Sequence, residues 1–482
     1  MYSRLLPLLL PLLLPLLVLA TGLAAQAHSA PPHIVLIVAD DLGFSDLACF
    51  GSGYYRTPHL DRLARSGMKF TATYTCGPNC APTRACLMSG QYSPRHGIYT
   101  VGSGARGPAR LRKLVPAKNT TVLDPEIVTL AETLKAAGYT TAHFGKWHLG
   151  PPPTGGPRQQ GFDINFGGNR TGSPRGGYFS PYRNPQLEDG PAGEHLTDRL
   201  STEAAGVIRN HVRKSADTPL FIYLPFYAVH TPIQAKPALA AKYGKRAKVG
   251  GHRNAKYAAM VETMDSGVGR VLAALDDMKI ADKTLVIFTS DNGGLGGYTS
   301  ADSQLPNGIT DNAPLKGGKG MLYEGGIRVP MIVRWPGRTK PGSTCATPVI
   351  TVDFYPTLAE IAAAPLPKKQ TGDGVSITGL LRGQSLPQRP LFWHFPGYLQ
   401  AYGRQGAWRT TPAAAVRLGD WKLLEFFEDG RKELYHTGRD IGETRNLIGT
   451  EPEVADRLHR LMLDWRKRTR APMPTRKDGR TQ

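Results

Sequence analysis

HIVLIVADDLG, residues 33–43, is the stretch that decides the fold. From Ile34 to Ala39 every residue is apolar, and β-branched side chains dominate without alternation. A strand covered by helices on both faces reads this way. Asp40 and Asp41 follow at once, and open α/β sheets bind their ligands beyond the carboxyl ends of such strands.

Working outward, Pro58–Ser66 predicts a helix stopped by Gly67, and Thr129–Ala137 a second one closed by Gly138. Further strands are expected at Thr140–Phe144, Leu220–Leu224, Thr284–Thr289 and Val329–Trp335. Helices are expected at Thr197–His211, Ala255–Met278 and Pro356–Ala363. Repeated β-α-β order predicts the α/β class, a mostly parallel mixed sheet between helices. After about residue 380 the pattern changes, with turn signals at Gly419-Asp420 and Asp429-Gly430. That predicts a smaller antiparallel subdomain, closed by a basic helix from Glu453 to Arg468. The expected division is a large α/β domain over 28–380, the subdomain over 381–470, and a disordered basic tail over 471–482.

The chain has 482 residues, 40% of them hydrophobic, which excludes a disordered chain and a coiled coil. Lys and Arg number 59 against 38 acids, a net charge of +21, and this excess calls for an anionic partner. Residues 236–256 and 101–118 form basic runs without an acid, and residues 457–480 carry another basic cluster. At the start, Arg4 precedes a Leu-rich run broken by Pro7, Pro11 and Pro15, then Ala25-Gln26-Ala27. Residues 1–27 therefore read as a signal peptide, and the expected location is the periplasm or the outside of the cell. No later segment is long and apolar enough to span a bilayer. Five cysteines (Cys49, Cys76, Cys80, Cys86, Cys345) are few for an exported chain, and the odd number leaves at least one outside any intrachain disulfide.

Polar residues cluster where strands end. Asp40-Asp41, Lys146 and His148, His230, and Asp291-Asn292 each follow a strand or its extension. The acids and the amide are hard oxygen ligands that suit Ca²⁺ or Mg²⁺. Lys146, His148 and His230 are donors suited to an oxyanion or a leaving oxygen. Together they describe a site for hydrolysing a phosphate or sulfate ester.

Residues 80–90, CAPTRACLMSG, then resemble the signature of the type I formylglycine-dependent sulfatases on the alkaline-phosphatase-like scaffold. Cys80, Pro82, Arg84, Leu87 and Gly90 carry the match. Asp40–Gly43, Gly145–His148, Val229–Pro232, Ser290–Gly293 and Lys316–Gly320 with Tyr323–Pro330 resemble the other motifs of that family, in the same order. One polar position of the family finds no match in the divergent stretch 161–182.

The resemblance implies that a formylglycine-generating system oxidises Cys80 to formylglycine, whose hydrate attacks sulfur. Asp40, Asp41, Asp291 and Asn292, with the modified Cys80, would hold Ca²⁺, or Mg²⁺ in its place. Arg84 and Lys146 would hold the diol, Asp291 would activate it, and His148 would take the second hydroxyl proton. His230 and Lys319 would face the leaving oxygen. The expected substrate is a sulfated small molecule or polysaccharide, with a sulfated carbohydrate preferred. The export signal disfavours nucleic acid, and His394, Tyr398, Tyr402 and Trp408 are candidates to line a sugar cleft. Two alternatives stay open: a phosphodiesterase or phosphonate monoester hydrolase on the same scaffold, and a non-catalytic polyanion-binding protein if Cys80 is unmodified.

Overall fold

Strand β1 spans His33–Ala39 with every residue buried. Its side chains alternate between two cores. Val35, Ile37 and Ala39 face one, and Ile34, Leu36 and Val38 face the other. This is why the run carries no polar face.

The computed structural model describes residues 31–296, 309–400 and 408–477. The signal segment expected at 1–27, Tyr402 and the end of the tail lie outside the described residues. Among these residues no helix is long and apolar enough to cross a membrane.

After β1 come β2 (Met68–Tyr74), β3 (Leu114–Val115), β4 (Thr140–Phe144), β5 (Ile164–Phe166) and β6 (Leu220–Pro225). Then follow β7 (Thr284–Ser290), β8 (Arg328–Arg334), β9 (Ser343–Cys345) and β10 (Val349–Ile350). All but β3 join one nine-stranded sheet, ordered β10-β2-β8-β7-β1-β6-β4-β5 with β9 also on β2. β8 alone runs against its neighbours. Helices Leu196–Lys214 and Ala255–Asp277 pack into the core on one face. Helices Leu130–Ala136 and Phe354–Ile361 cover the other. The first of these begins at Thr129, whose side chain accepts from the Glu132 N–H while Glu132 accepts from the Thr129 N–H.

The later strands are β11 (Leu391–Phe395), β12 (Leu399–Gln400), β13 (Trp408–Thr410), β14 (Ala413–Leu418), β15 (Trp421–Phe426), β16 (Lys432–His436) and β17 (Thr475–Arg476). Strands β11-β14-β15-β16 form an antiparallel sheet, as the turn signals predict, with the two-residue turn Gly419-Asp420 joining β14 to β15. Helix Pro452–Thr469 packs on it. The expectation of a disordered tail from residue 471 is corrected for its first part. β17 pairs with β3, so the backbone there has partners that the polar composition of the tail does not announce.

A buried charge cluster joins the subdomain to the main sheet. Lys422 on β15 lies 2.9 Å from carboxylate oxygens of both Glu324 and Glu443. Tyr74 donates to Glu324 at 2.7 Å, and Arg328 at 3.2 Å. The Glu324 N–H donates to Glu443. Burial pushes Glu324 up, but Lys422, Arg328 and Arg417 outweigh it and hold the carboxyl below its usual range. Lys422→Met would leave two carboxylates buried without their shared cation. The expected loss is about 3–5 kcal/mol, read as a lowered urea midpoint against wild type; an unchanged midpoint would show that the cluster does not carry the junction.

Candidate active site

The motifs separated in sequence converge at the carboxyl ends of β1 and β7. The Asp291 N–H donates to Ala39 O, and Ser290 Oγ accepts from the Leu42 N–H, so the two strand ends are stitched together. Asp41 sits there with φ 63°, in the left-handed region that Asp tolerates better than most residues. Asp40, Asp41, Asp291 and Asn292 are all buried.

Each carboxylate meets a cation from another part of the chain. Lys146 Nζ lies 2.6 Å from Asp40 Oδ2, and Lys319 Nζ 2.7 Å from Asp41 Oδ2. Arg84 donates to Asp291 Oδ2 through Nε and Nη2, at 2.9 and 2.7 Å, and to Lys146 O through Nη1. Burial pushes the Asp40 carboxyl up, against Lys146 and in concert with Asp291 and Asp41. Burial acts on Asp41 too, but Lys319 and His230 outweigh it and hold that carboxyl well below the usual range.

Two oxygens are left over. Asp40 Oδ1 and Asn292 Oδ1 are buried and, among the described residues, have no hydrogen-bond partner. Asn292 Nδ2 is committed to Asp41 Oδ1 at 2.8 Å, which turns its oxygen the other way. Asp40, Cys80 and Asp291 present ligand atoms within 4.8 Å of one another, as do Asp40, Asp41 and His230. Partnerless buried oxygens among three carboxylates fit a hard dication.

Cys80 is the first residue of helix Cys80–Ser89 and is buried. Burial pushes its thiol up, and Lys146 and Lys319 oppose that. Free N–H groups at this helix end favour negative charge there. Cys80, His148, His230 and Lys319 line one pocket of about 270 Å³. Burial drives His148 well below its ordinary range, helped by Lys146 and Arg84, so the ring is neutral. His230 is driven down to about 3 by burial and by Lys319. Its Nδ1 donates to Thr231 O at 2.6 Å, while Nε2 lies 3.7 Å from Asp41.

The candidate catalytic and metal-binding residues therefore meet at this pocket or directly beneath it. Of the sugar-cleft candidates, His394, Tyr398 and Trp408 do not line it. His394 is buried with Nε2 against Pro472 O, and Tyr398 donates to Glu428 and accepts from the Leu114 N–H. Trp408 packs on Tyr398. Their neighbours Leu399 and Arg409 line the pocket instead, together with Asn79, Arg106 and Ser173. Arg106 belongs to the basic run 101–118, so that run is not wholly peripheral. Ser173 and Gly172 bring the divergent stretch 161–182 into the wall. The one sequence signal for them is the gap itself, a long non-periodic stretch after the Lys/His motif. Asn119 and Asn169, each standing two residues before a threonine in an N-x-T triplet, spend their amides on hydrogen bonds within the chain.

The family model described as sulfatase matches residues 32–364. The model described as N-sulphoglucosamine sulphohydrolase, C-terminal, matches residues 318–468. A protein named sulfatase from Formosa agariphila is 37% identical, over 94% of this chain and 92% of its own. The N-acetylgalactosamine-6-sulfatase of Canis lupus familiaris is 31% identical, over 92% and 81%. The crystal structure of Ps i-CgsB in complex with k-i-k-neocarrahexaose superposes with TM-score 0.72 at 30% identity, covering 90% of this chain and 92% of that one.

A Cβ built on Gly172 falls 2.4 Å from His148 Cε1. Gly172→Ala is expected to turn the imidazole out of its place at a stability cost of about 1 kcal/mol, since the end of a side chain yields more readily than backbone. A crystal structure of the variant and its urea unfolding curve check both parts; an unmoved ring refutes the first.

Proposed function

The chain belongs to the sulfatase family and is a sulfuric ester hydrolase, and from that premise we propose that it removes sulfate from a sulfated carbohydrate through a formylglycine made from Cys80. The observation that carries the reading is Cys80 at a helix N-terminus on the same pocket as His148, His230 and Lys319, directly above the buried carboxylates. The carbohydrate rests on the named relatives, on the oligosaccharide in the carrageenan-type complex, and on the arginines of the rim.

A formylglycine hydrate at position 80 supplies one oxygen that accepts sulfur and a second hydroxyl through which sulfate is expelled. Asp40, Asp41, Asp291 and Asn292 would hold Ca²⁺, with Mg²⁺ the other candidate, and such an ion neutralises sulfate oxygens. The chain's own groups do the rest. Arg84 is pinned at three points, so its guanidinium cannot swing away when negative charge builds beside residue 80. Lys146, anchored on Asp40, adds a second fixed cation. His148, kept neutral, has a lone pair to take the proton from the second hydroxyl, so that the aldehyde reforms as sulfate leaves. Lys319, whose pKa Asp41 raises against the effect of burial, stays protonated and faces the leaving oxygen with His230.

An export route to the periplasm or the outside of the cell and a separate formylglycine-generating system complete this reading. Both follow from the leader-like start and from a Cys80 that has to be oxidised by something other than this site.

Two outcomes test it. Cys80→Ala is expected to lose sulfatase turnover by at least about a thousandfold, and mass spectrometry of the wild-type peptide around residue 80 is expected to show the aldehyde. A uniformly unmodified thiol in an active preparation overturns the reading. Chelation with EDTA is expected to lower Tm and abolish turnover of an aryl sulfate, with Ca²⁺ restoring both, because the ion binds only the folded site. Faster hydrolysis of the matching aryl phosphate would favour a phosphoester hydrolase instead.

A further inference from the structure

A second pocket of about 310 Å³ opens beside the catalytic one. The two share His148 and Val101 as a common wall. Val122 and Pro151 give the second pocket an apolar floor, Thr100 and Thr121 place hydroxyl-bearing residues on it, and Arg170 is its cation. Among the described residues no acidic side chain lines it. Apolar walls with a few placed polar groups are the usual make-up of a sugar or small-ligand site.

Residues 169–173 border both pockets. Arg170 lines the second, and Gly172 and Ser173 line the first. The segment is fixed to the catalytic loop, because the His148 N–H donates to Asn169 O at 3.0 Å. Asn169 is itself buried. Its Oδ1 accepts from the Thr171 N–H at 2.8 Å, and its Nδ2 donates to Asn184 Oδ1 at 3.0 Å and Gly167 O at 3.2 Å. Arg170 thus projects from a held backbone. Among the described residues its exposed side chain has no ion pair or hydrogen bond of its own. A rigidly based guanidinium without an internal partner is arranged for an external anion.

We propose that the second pocket holds the sugar next to the one bearing the scissile sulfate, and that Arg170 pairs with a sulfate or carboxylate on that neighbouring ring. The inference rests on the sulfatase reading of the first pocket. It adds that the preferred substrate carries anions on two adjacent residues, and that segment 169–173 measures the spacing between them.

The test uses the mature enzyme and an aryl sulfate as the reported reaction. Three competitors are compared: N-acetylgalactosamine 6-sulfate, the chondroitin 6-sulfate disaccharide with its neighbouring carboxylate, and a chondroitin disaccharide sulfated on both rings. Wild type is expected to favour at least one disaccharide over the monosaccharide. In Arg170→Gln the ratio of their inhibition constants is expected to fall about fivefold, and Arg170→Lys to restore part of it. The preference is expected to weaken with salt, as for a pair at the surface. Which disaccharide loses more separates sulfate from carboxylate. No preference in wild type, or a ratio untouched in Arg170→Gln, overturns the proposal. Failure of the sulfatase reading is visible separately, as a wild type that does not hydrolyse the aryl ester.

Discussion

Three carboxylates meet at the ends of β1 and β7 out of contact with water, and the structure around them depends on matching each with a cation. Asp40 takes Lys146, Asp41 takes Lys319 and Asp291 takes Arg84. An uncompensated buried charge costs several kcal/mol, so none of these acids is tolerable until its partner arrives. The partners come from the helix at Cys80, the loop after β4 and the loop before β8. Closing the site is therefore one event with assembling the sheet. The pairing is also incomplete, since among the described residues Asp40 Oδ1 and Asn292 Oδ1 have no hydrogen-bond partner. The pairing that permits these acids to be buried still leaves oxygens without a donor, which is the state a dication relieves.

The C-terminal subdomain belongs to this logic rather than standing apart from it. Glu324 sits next to the segment that bears Lys319 and is neutralised by Lys422 from β15 and Arg328 from β8. Gly320 packs so closely on Arg409 that a Cβ there would fall 2.4 Å from Arg409 Cδ. The loop bearing Lys319 is thus pressed between the main sheet and the smaller one. Its N–H donates to Gly294 O, and the Gly320 N–H to Pro78 O beside Cys80. Docking of the subdomain fixes the position of a lysine in the pocket and contributes Leu399 and Arg409 to its rim.

What was legible in the sequence follows from this division. β1 and the long helices announce themselves because burial on a regular element leaves a period in the chain. β4 and the helix Pro58–Ser66 fall on the residues expected for them. β2 was not read, since MKFTATY interleaves Lys69 and Thr71 with apolar residues and follows a helix with no spacer but Gly67. Repeated β-α-β order gave no sign that β8 reverses, for direction is decided by the crossover that precedes it. The acids and basic groups beneath the pocket were found because they stand at strand ends in motifs. Arg106 and Ser173 are not marked, because loops deliver them and no spacing marks a loop residue as facing inward; Arg409 is not either, because its strand β13 is only three residues long. Glu324, Lys422 and Glu443 look like surface charges in sequence, and only their mutual contact permits their burial.

This separation bears on how such a chain acquires a substrate. The charge-paired floor cannot vary, as each replacement strands a buried partner. The rim is free of that constraint. Segments 101–106 and 169–173 carry Arg106 and Arg170 on irregular backbone, Arg409 stands on the short strand β13, and a change at these positions alters the pocket mouths without touching the acids beneath. Of the net +21, the floor holds only cations already cancelled by carboxylates. The rest of the excess lies outside the floor, in the basic runs and in Arg106 and Arg170 among others, where positive charge bears on the approach and seating of an anion rather than on its chemistry. On the proposed reading the buried pairs set the reaction type, and selectivity falls to the segments around them.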